Sequence, residues 1–325
     1  MFTTASTTSD KILQMFAAIL LFAAVVGLIL FAASRVSGKR DRAVAALYLL
    51  PTVLMLSVGL LYPGVRTIYQ SFFDASLSNF IGLDNYTKIF TDAEQLIILR
   101  NTAFWVLVTP FAATAIGLLY AILVDKARME SFAKALIFLP MSISFVAASV
   151  IWKFMYEYRP DQRNVEQIGL VNQVIVWLGG EPVQLLIESP LNTFLLIVVM
   201  IWIQAGFAMT VLSAAIKAIP DDIIEAARLD GVGPLGMFRF VTLPAIRPAV
   251  VVVLTTIAIG TLKVFDIVQT MTGGRFDTNV IANEFYSQSF RSNDKGLGSA
   301  LAVVLFVLVI PIVVYNIRQL RRSEA

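Results

Sequence analysis

The chain has 325 residues, of which 58% are hydrophobic and 14% are charged, with a formal net charge of +3. Soluble domains are nearer half apolar and a quarter charged, so the excess apolar surface needs lipid to cover it. Cysteine and histidine are both absent, which excludes disulfides and imidazole ligands and argues against a metalloenzyme or a histidine-dependent hydrolase. The basic residues lie at the ends of the apolar runs, a membrane-orientation pattern that argues against nucleic acid as a partner.

The apolar runs predict an all-α membrane protein, because each run is long enough to cross a bilayer core as a helix of roughly 20 residues. The first run is longer than the apolar core of a signal peptide, and four basic residues follow it between 35 and 42. We therefore interpret it as a retained span. The seven predicted transmembrane helices are 12–33, 43–62, 102–124, 133–155, 192–214, 246–267 and 298–317.

The charge of the connecting segments predicts how these spans are oriented. One set of segments carries 14 Lys and Arg against eight acids, whereas the alternate set carries ten against 13. Loops rich in Lys and Arg remain in the cytoplasm, so the N-terminus is expected outside and the C-terminus in the cytoplasm. The first set is 34–42, 125–134, 217–247 and 318–325, and the second is 1–11, 63–101, 153–191 and 268–297.

Residues 220–244 form a polar stretch between the fifth and sixth predicted spans, on the cytoplasmic side. Pro220 ends one helix, and Asp222 with Glu225 has the spacing of a capping box. Gly231 suits the left-handed position that terminates helices, and Pro234 suits the first turn of a second short helix. From composition alone, a connector that lies on lipid headgroups fits as well as a docking element.

The internal spacing of this stretch resembles the EAA signature of permease subunits of binding-protein-dependent ABC importers. Glu225–Ala226–Ala227 is followed by Gly231 and, after nine intervening residues, by Val241–Thr242–Leu243–Pro244. Val241 stands where the family usually has isoleucine. We name residues 220–244 the EAA loop. The resemblance implies that its helix docks on an ATPase through Asp222, Glu225, Ala226, Ala227, Asp230, Gly231, Leu243 and Pro244.

The likeness extends over residues 45–320. Segments 81–86, 138–140, 202–207 and 265–274 are similar to carbohydrate permeases of the maltose type. Segments 298–304 and 311–316 look like the first permease subunit of α-glucoside importers. The resemblance implies an extra N-terminal helix with its basic loop at 1–42 and a six-helix ABC importer core with a cytoplasmic coupling helix at 43–325.

The chain has no Gly-x-x-x-x-Gly-Lys-Ser/Thr phosphate loop, because Gly38–Lys39 lacks the first glycine and the hydroxyl residue. We therefore expect a transport subunit that is no enzyme and holds no cofactor or metal. The resemblance implies that ATP and Mg are bound by a homodimer of separate ABC ATPases. It also implies a second permease, an extracytoplasmic sugar-binding protein, an oligosaccharide or disaccharide such as an α-glucoside, maltose or trehalose, and location in the bacterial inner membrane.

A sugar path is expected to combine aromatic faces with a few polar side chains, and polar groups within spans are costly enough to suggest function. Aromatic packing and a structural Lys263–Asp266 pair on one helix face explain the same residues without sugar. The candidate residues, some of which replace asparagines of the family, are Trp202, Gln204, Phe207, Thr261, Lys263 and Asp266.

Two other classes of function were weighed. A stand-alone secondary transporter or channel is expected to show inverted repeats or ion-pathway carboxylates within its spans, and only Asp266 qualifies. A membrane scaffold or glycan-handling enzyme requires a catalytic constellation, and the acids of the outer loops show no paired spacing. An ATP-driven importer subunit is the interpretation that accounts for the EAA loop.

Overall fold

The computed structural model describes residues 8–35, 41–125, 129–160 and 168–323. These residues are largely helical, and the strand-type pairing among them is an isolated antiparallel bridge between Phe73 and Phe80. The helices in chain order are α1 (Thr8–Arg35), α2 (Asp41–Leu56), α3 (Tyr62–Gln70), α4 (Asp84–Thr91), α5 (Ala93–Val124), α6 (Glu130–Phe138), α7 (Phe145–Met155), α8 (Leu170–Trp177), α9 (Leu191–Lys217), α10 (Asp221–Leu229), α11 (Pro234–Gly236), α12 (Leu243–Leu262), α13 (Asp266–Met271), α14 (Ile281–Tyr286) and α15 (Lys295–Ser323).

The chain divides into two compact units, residues 1–67 and 68–325. In the first unit α1 lies against α2, and a π-helical stretch at Ser57–Leu61 joins α2 to α3. The apolar helix Tyr48–Gln70 has no buried residue in its most apolar window, so its surface is left for lipid or another subunit. The predicted division at residue 42 stays a prediction.

The second unit is built around the long helices α5 and α9, and α12 packs on both. Their crossing is close at Gly117, where an added Cβ would lie 2.4 Å from Ala208 Cβ. A second close approach occurs at Gly206, where a Cβ would lie 2.6 Å from the Ile137 carbonyl oxygen. Small residues let helix backbones approach closely in a membrane, where lipid tails give no hydrophobic drive for association.

Five single helices in the described part of the chain are long and apolar enough to cross a membrane, and one bent pair raises the number to six. The first predicted span, 12–33, falls in α1, whose apolar stretch Ile12–Leu28 is shorter than 18 residues, so the count of seven is not confirmed. The single helices are Tyr48–Gln70, Ala93–Val124, Leu191–Lys217, Pro234–Leu262 and Lys295–Gln319. Several begin or end outside the predicted limits because capped helices extend into polar turns that hydropathy omits.

The predicted span 133–155 is not one continuous helix. Glu130–Ser142 and Phe145–Met155 form two helices bent by 101°. Pro140 lies in the 3₁₀ turn at the break, and Ser144 starts the next helix by accepting a hydrogen bond from the Ala147 N–H at 3.2 Å. Proline and a Ser N-cap together end one helix and begin another.

The connection between α13 and α14 is anchored by buried amides. Asn101 donates to the carbonyl oxygen of Asn279 at 3.0 Å, and Asn192 donates to that of Phe276 at 2.6 Å. Phe276 and Asp277 have φ of 58° and 56°, a region that costs non-glycine residues about 1–3 kcal/mol and persists only when the surroundings fix it. This connection is therefore held rigidly on α5 and α9.

Candidate functional site

The EAA loop begins with α10, which Pro220 starts from an extended backbone (φ −58°, ψ 137°). The predicted capping box is not present, because Pro220 takes the N-cap position and Asp222 lies inside the first turn. Asp222 Oδ1 instead accepts from the adjacent Ile223 N–H at 2.9 Å. The two first-turn acids still favour this end of the helix through its dipole.

The end of α10 forms a Schellman motif. The Val232 N–H donates to the Ala227 carbonyl at 3.1 Å, and the Gly231 N–H donates to the Arg228 carbonyl at 3.0 Å. Gly231 has φ +80°, which confirms the predicted left-handed conformation. No atom lies within 4 Å of the position of an added Cβ, so backbone strain is the obstacle to other residues here.

The outer surface of the EAA loop is polar at one end and apolar at the other. Glu225 and Ala226 are exposed, whereas Ala227 is half-buried. Leu229 and Leu235 are 89% and 79% exposed. Contiguous patches of exposed apolar side chains mark surfaces that another protein or a membrane covers.

The loop returns to the membrane without a separate second helix. Pro234 begins a helix as predicted, but this helix runs through a π-helical stretch at Met237–Thr242 and continues into α12. Leu243 and Pro244 form the first residues of α12, and both are exposed. The short helix predicted here is the first turn of the span Pro234–Leu262, since an N1 proline removes no helical hydrogen bond.

The predicted sugar-path residues lie in separate places. Trp202 lines a cavity of about 410 Å³, and its ring meets that of Trp152 edge-on at 5.7 Å. Gln204 is half-buried on α9. Phe207 packs against the buried cluster between α5, α9 and α12, and Thr261 is fully buried, with its hydroxyl donating to the Ile257 carbonyl at 2.7 Å.

Lys263 and Asp266 do not share a helix face, because α12 ends at Leu262 and α13 begins at Asp266. None of the ion pairs within the described ranges joins these two residues. They line a small cavity of about 40 Å³ together with Phe145, Met200 and Gly260. The structural pair that periodicity allowed is therefore not formed in this conformation.

Sequence reasoning missed two features. Trp152 and Tyr120 line the same cavity as Trp202, and Lys134 forms ion pairs with Asp125 and Glu130. The signal for Lys134 was available, because a charged residue inside a predicted span is costly. Among the described residues no group of three or more acids, Cys or His could hold a metal ion.

Long apolar helices joined by a polar loop that presents a short helix and exposed leucines define a multi-pass membrane protein. Residues 98–321 match the model of the family described as binding-protein-dependent transport system inner membrane component. The chain belongs to this family. It is a multi-pass inner-membrane permease subunit of an ABC importer, in which ATP hydrolysis belongs to a separate subunit.

Individual relatives agree with the family assignment. The chain is 48% identical to the osmoprotective compounds uptake permease protein GgtC of Synechocystis sp., over 86% of this chain and 99% of the relative. It is 46% identical to the alpha-glucoside transport system permease protein AglF of Rhizobium meliloti, over 86% and 82%. A chain from a bacterial ABC transporter that imports alginate shares the fold, with a TM-score of 0.73, 23% identity and coverage of 87% and 96%.

Proposed function

We propose that this permease carries an oligosaccharide or disaccharide, of the α-glucoside, maltose or trehalose kind, into the cytoplasm by alternating access. The named cargo of the relative AglF, an alpha-glucoside, supports a sugar. The chain works with a homodimer of ABC ATPases, a second permease and an extracytoplasmic sugar-binding protein. Its N-terminus lies outside and its C-terminus in the cytoplasm, because the EAA loop and the other Lys- and Arg-rich segments then share the cytoplasmic face.

The observation that carries the proposal is the form of α10. It is a rigid, capped helix whose Gly231 turn at φ +80° returns the chain directly to a membrane-spanning helix. A helix docked in a partner can then transmit the partner's movement, because a rigid element with two positions couples two sites. Glu225 and the exposed Leu229 are the groups that meet the ATPase.

Two substitutions at Gly231 test the docking role in the assembled complex reconstituted in liposomes. Gly231→Val is expected to abolish most ATP-driven uptake, because a β-branched residue is strongly disfavoured at positive φ. Gly231→Asn is the matched control, since asparagine tolerates this conformation and a Cβ added at this position meets no described atom within 4 Å. Wild-type uptake with Gly231→Val would show that the helix end plays no part in coupling.

The sugar path is proposed along α9, beside the cavity that Trp152 and Trp202 line. Aromatic faces stack on sugar C–H groups, and Gln204 supplies the amide for a hydroxyl. Phe207, Thr261, Lys263 and Asp266 remain candidates for a conformation in which α9 and α12 separate.

Substitutions along α9 test the path by the KM for a panel of disaccharides. Trp202→Ala and Gln204→Leu are each expected to raise KM about tenfold or more, equivalent to about 1.4 kcal/mol. Trp177→Ala is the matched control, because Trp177 is 73% exposed on α8 and does not line the cavity beside Trp202. An unchanged KM in both path variants would remove these residues from the site.

A further inference from the structure

Three helix ends meet in one ionic cluster close to the EAA loop. Lys134 donates to Asp125 Oδ1, to Ser213 Oγ and, at 2.9 Å, to Glu130 Oε1. Glu130 also pairs with Lys217, the last residue of α9. We name these five residues the Lys134 cluster. It fixes the ends of α5 and α6 to the part of α9 that leads into α10.

The two carboxylate oxygens of Asp125 have unequal surroundings. Oδ1 accepts from both Lys134 and Ser213, the latter at 2.7 Å. Oδ2 is buried and has no hydrogen-bond partner among the residues that the structure describes. A buried acceptor left unpaired costs about 1–3 kcal/mol, and more when it is charged. The hydrogen bonds of the Asp125 carboxylate are therefore satisfied only when another donor binds Oδ2.

A candidate donor lies across a cavity of about 290 Å³ that separates the EAA loop from the ends of α5 and α9. Asp125 lines this cavity from α5, and Arg228 lines it from α10. Arg228 is exposed, and it takes part in none of the ion pairs found within the described ranges. The remaining walls are mostly apolar: Ile122, Ile216, Val232, Pro234, Met237, Phe238 and Thr242.

We propose that Arg228 binds Oδ2 of Asp125 when this cavity closes, and that the pair locks α10 to the Lys134 cluster in one state of the transport cycle. A guanidinium presents several N–H donors in a planar fork, so it can satisfy Oδ2 while Lys134 and Ser213 keep Oδ1. Closing the cavity also removes its apolar walls from water, which favours the closed arrangement.

The lock would connect α10 to α7 through α6. α6 carries Lys134 and leads into the break at Leu139–Ser144 and then into α7, which holds Trp152. A movement of α10 is thereby passed through Arg228 and Asp125 to the helix beside the proposed sugar path. This inference depends on the proposed docking of α10, and it adds the residue pair that connects the docked helix to the spans.

A pair of cysteines across the cavity measures its closure without changing either charge. The chain has no native cysteine, and Ile122→Cys with Val232→Cys places thiols on opposite walls. The assembled complex, with cysteine-free partners, is treated with a short thiol cross-linker in liposomes, once without nucleotide and once trapped with ATP and vanadate. We expect at least a threefold difference in cross-linking between the two conditions.

The charged pair is then tested in this background. Arg228→Met is expected to remove the difference and to lower the sugar transported per ATP hydrolysed, while Arg228→Lys restores part of both. Arg239→Met is the matched control, because Arg239 is exposed in the same loop and lies over the Phe240 ring. Asp125→Asn should reproduce the effect of Arg228→Met. If Asp125→Asn fails to fold, the result for Arg228→Met alone tests the proposed pair.

Equal cross-linking in both conditions, or an undiminished difference in Arg228→Met, would overturn the lock. Neither result would affect the docking role of α10, which depends on the uptake of the Gly231 variants. Wild-type uptake in Gly231→Val would remove the docking role and, with it, the coupling assigned to the lock, whatever the cross-linking shows.

Discussion

The crossing of α5 and α9 at Gly117 gives a prediction whose size follows from the structure. An alanine Cβ there would lie 2.4 Å from Ala208 Cβ and 2.7 Å from the Met209 backbone nitrogen, against 3.4–4 Å for ordinary contact. The nearest obstacles are a Cβ and backbone atoms, which no rotamer change can move. The two helices must separate by about 1 Å, and such overpacking costs about 1–3 kcal/mol.

A matched variant isolates this cost. Gly260→Ala makes the same exchange in α12, where no atom lies within 4 Å of the added Cβ. Both variants gain roughly 1 kcal/mol from better helix propensity, so that gain cancels in the comparison. The free energy of unfolding of Gly117→Ala is therefore expected to be about 1–3 kcal/mol below that of Gly260→Ala.

The assay is equilibrium unfolding of the assembled complex in detergent micelles by titration with SDS, followed by tryptophan fluorescence. Trp105 is fully buried in the second unit, so it reports loss of this packing. A difference below about 0.5 kcal/mol between the two variants would contradict the reasoning, because that is within the range of neutral substitutions. Such a small difference would mean that α5 and α9 can move apart at Gly117 without losing other contacts.

Three further outcomes follow from particular contacts. Tyr156→Phe removes the 3.1 Å hydrogen bond to the Leu195 carbonyl and should lower the unfolding free energy by about 0.5–1.5 kcal/mol. Asn172→Ala leaves two backbone carbonyls and one N–H without their side-chain partner, so hydrogen exchange in α8 should accelerate. The Asn79 amide, first among several hydrogen bonds, lowers the pKa of the Asp74 carboxyl. The ionised Asp74 carboxylate stabilises the folded loop above the unfolded pKa, and this stabilisation is lost as pH falls through the folded pKa. Proteolysis of this loop should therefore increase in acid, and Asp74→Asn should make proteolysis less dependent on pH.

The sequence predicted the positions that local chemistry controls. Gly231 was placed at a left-handed helix end because only residues without a Cβ penalty adopt that backbone freely, and the structure gives it φ +80°. The long apolar runs predicted helices because backbone groups in lipid must be satisfied within the segment. The motif around Glu225 also indicated the family, since its spacing is fixed over about 20 residues.

Errors arose where competing local signals met. Asp222 with Glu225 has the spacing of a capping box, but Pro220, two residues earlier, is the N-cap. The run 133–155 is largely apolar, and its hydropathy alone did not show that Pro140 and Ser144 divide it at a 101° bend. Lys263 and Asp266 were assigned to one helix because hydropathy does not detect the break that follows Leu262.

By itself the sequence determined the class of the protein: its need for lipid, its helical spans and a capped loop for a partner are consequences of composition and short-range geometry. Only the tertiary structure decided which polar groups meet. Asp125 and Ser213 are 88 residues apart, yet both contact Lys134, and the cavity that leaves Asp125 Oδ2 unpaired has walls from α5, α9 and the EAA loop. Such contacts depend on how closely the helices cross. Glycines at the crossings, such as Gly117, set that distance through packing, and the periodicity of the sequence does not show it.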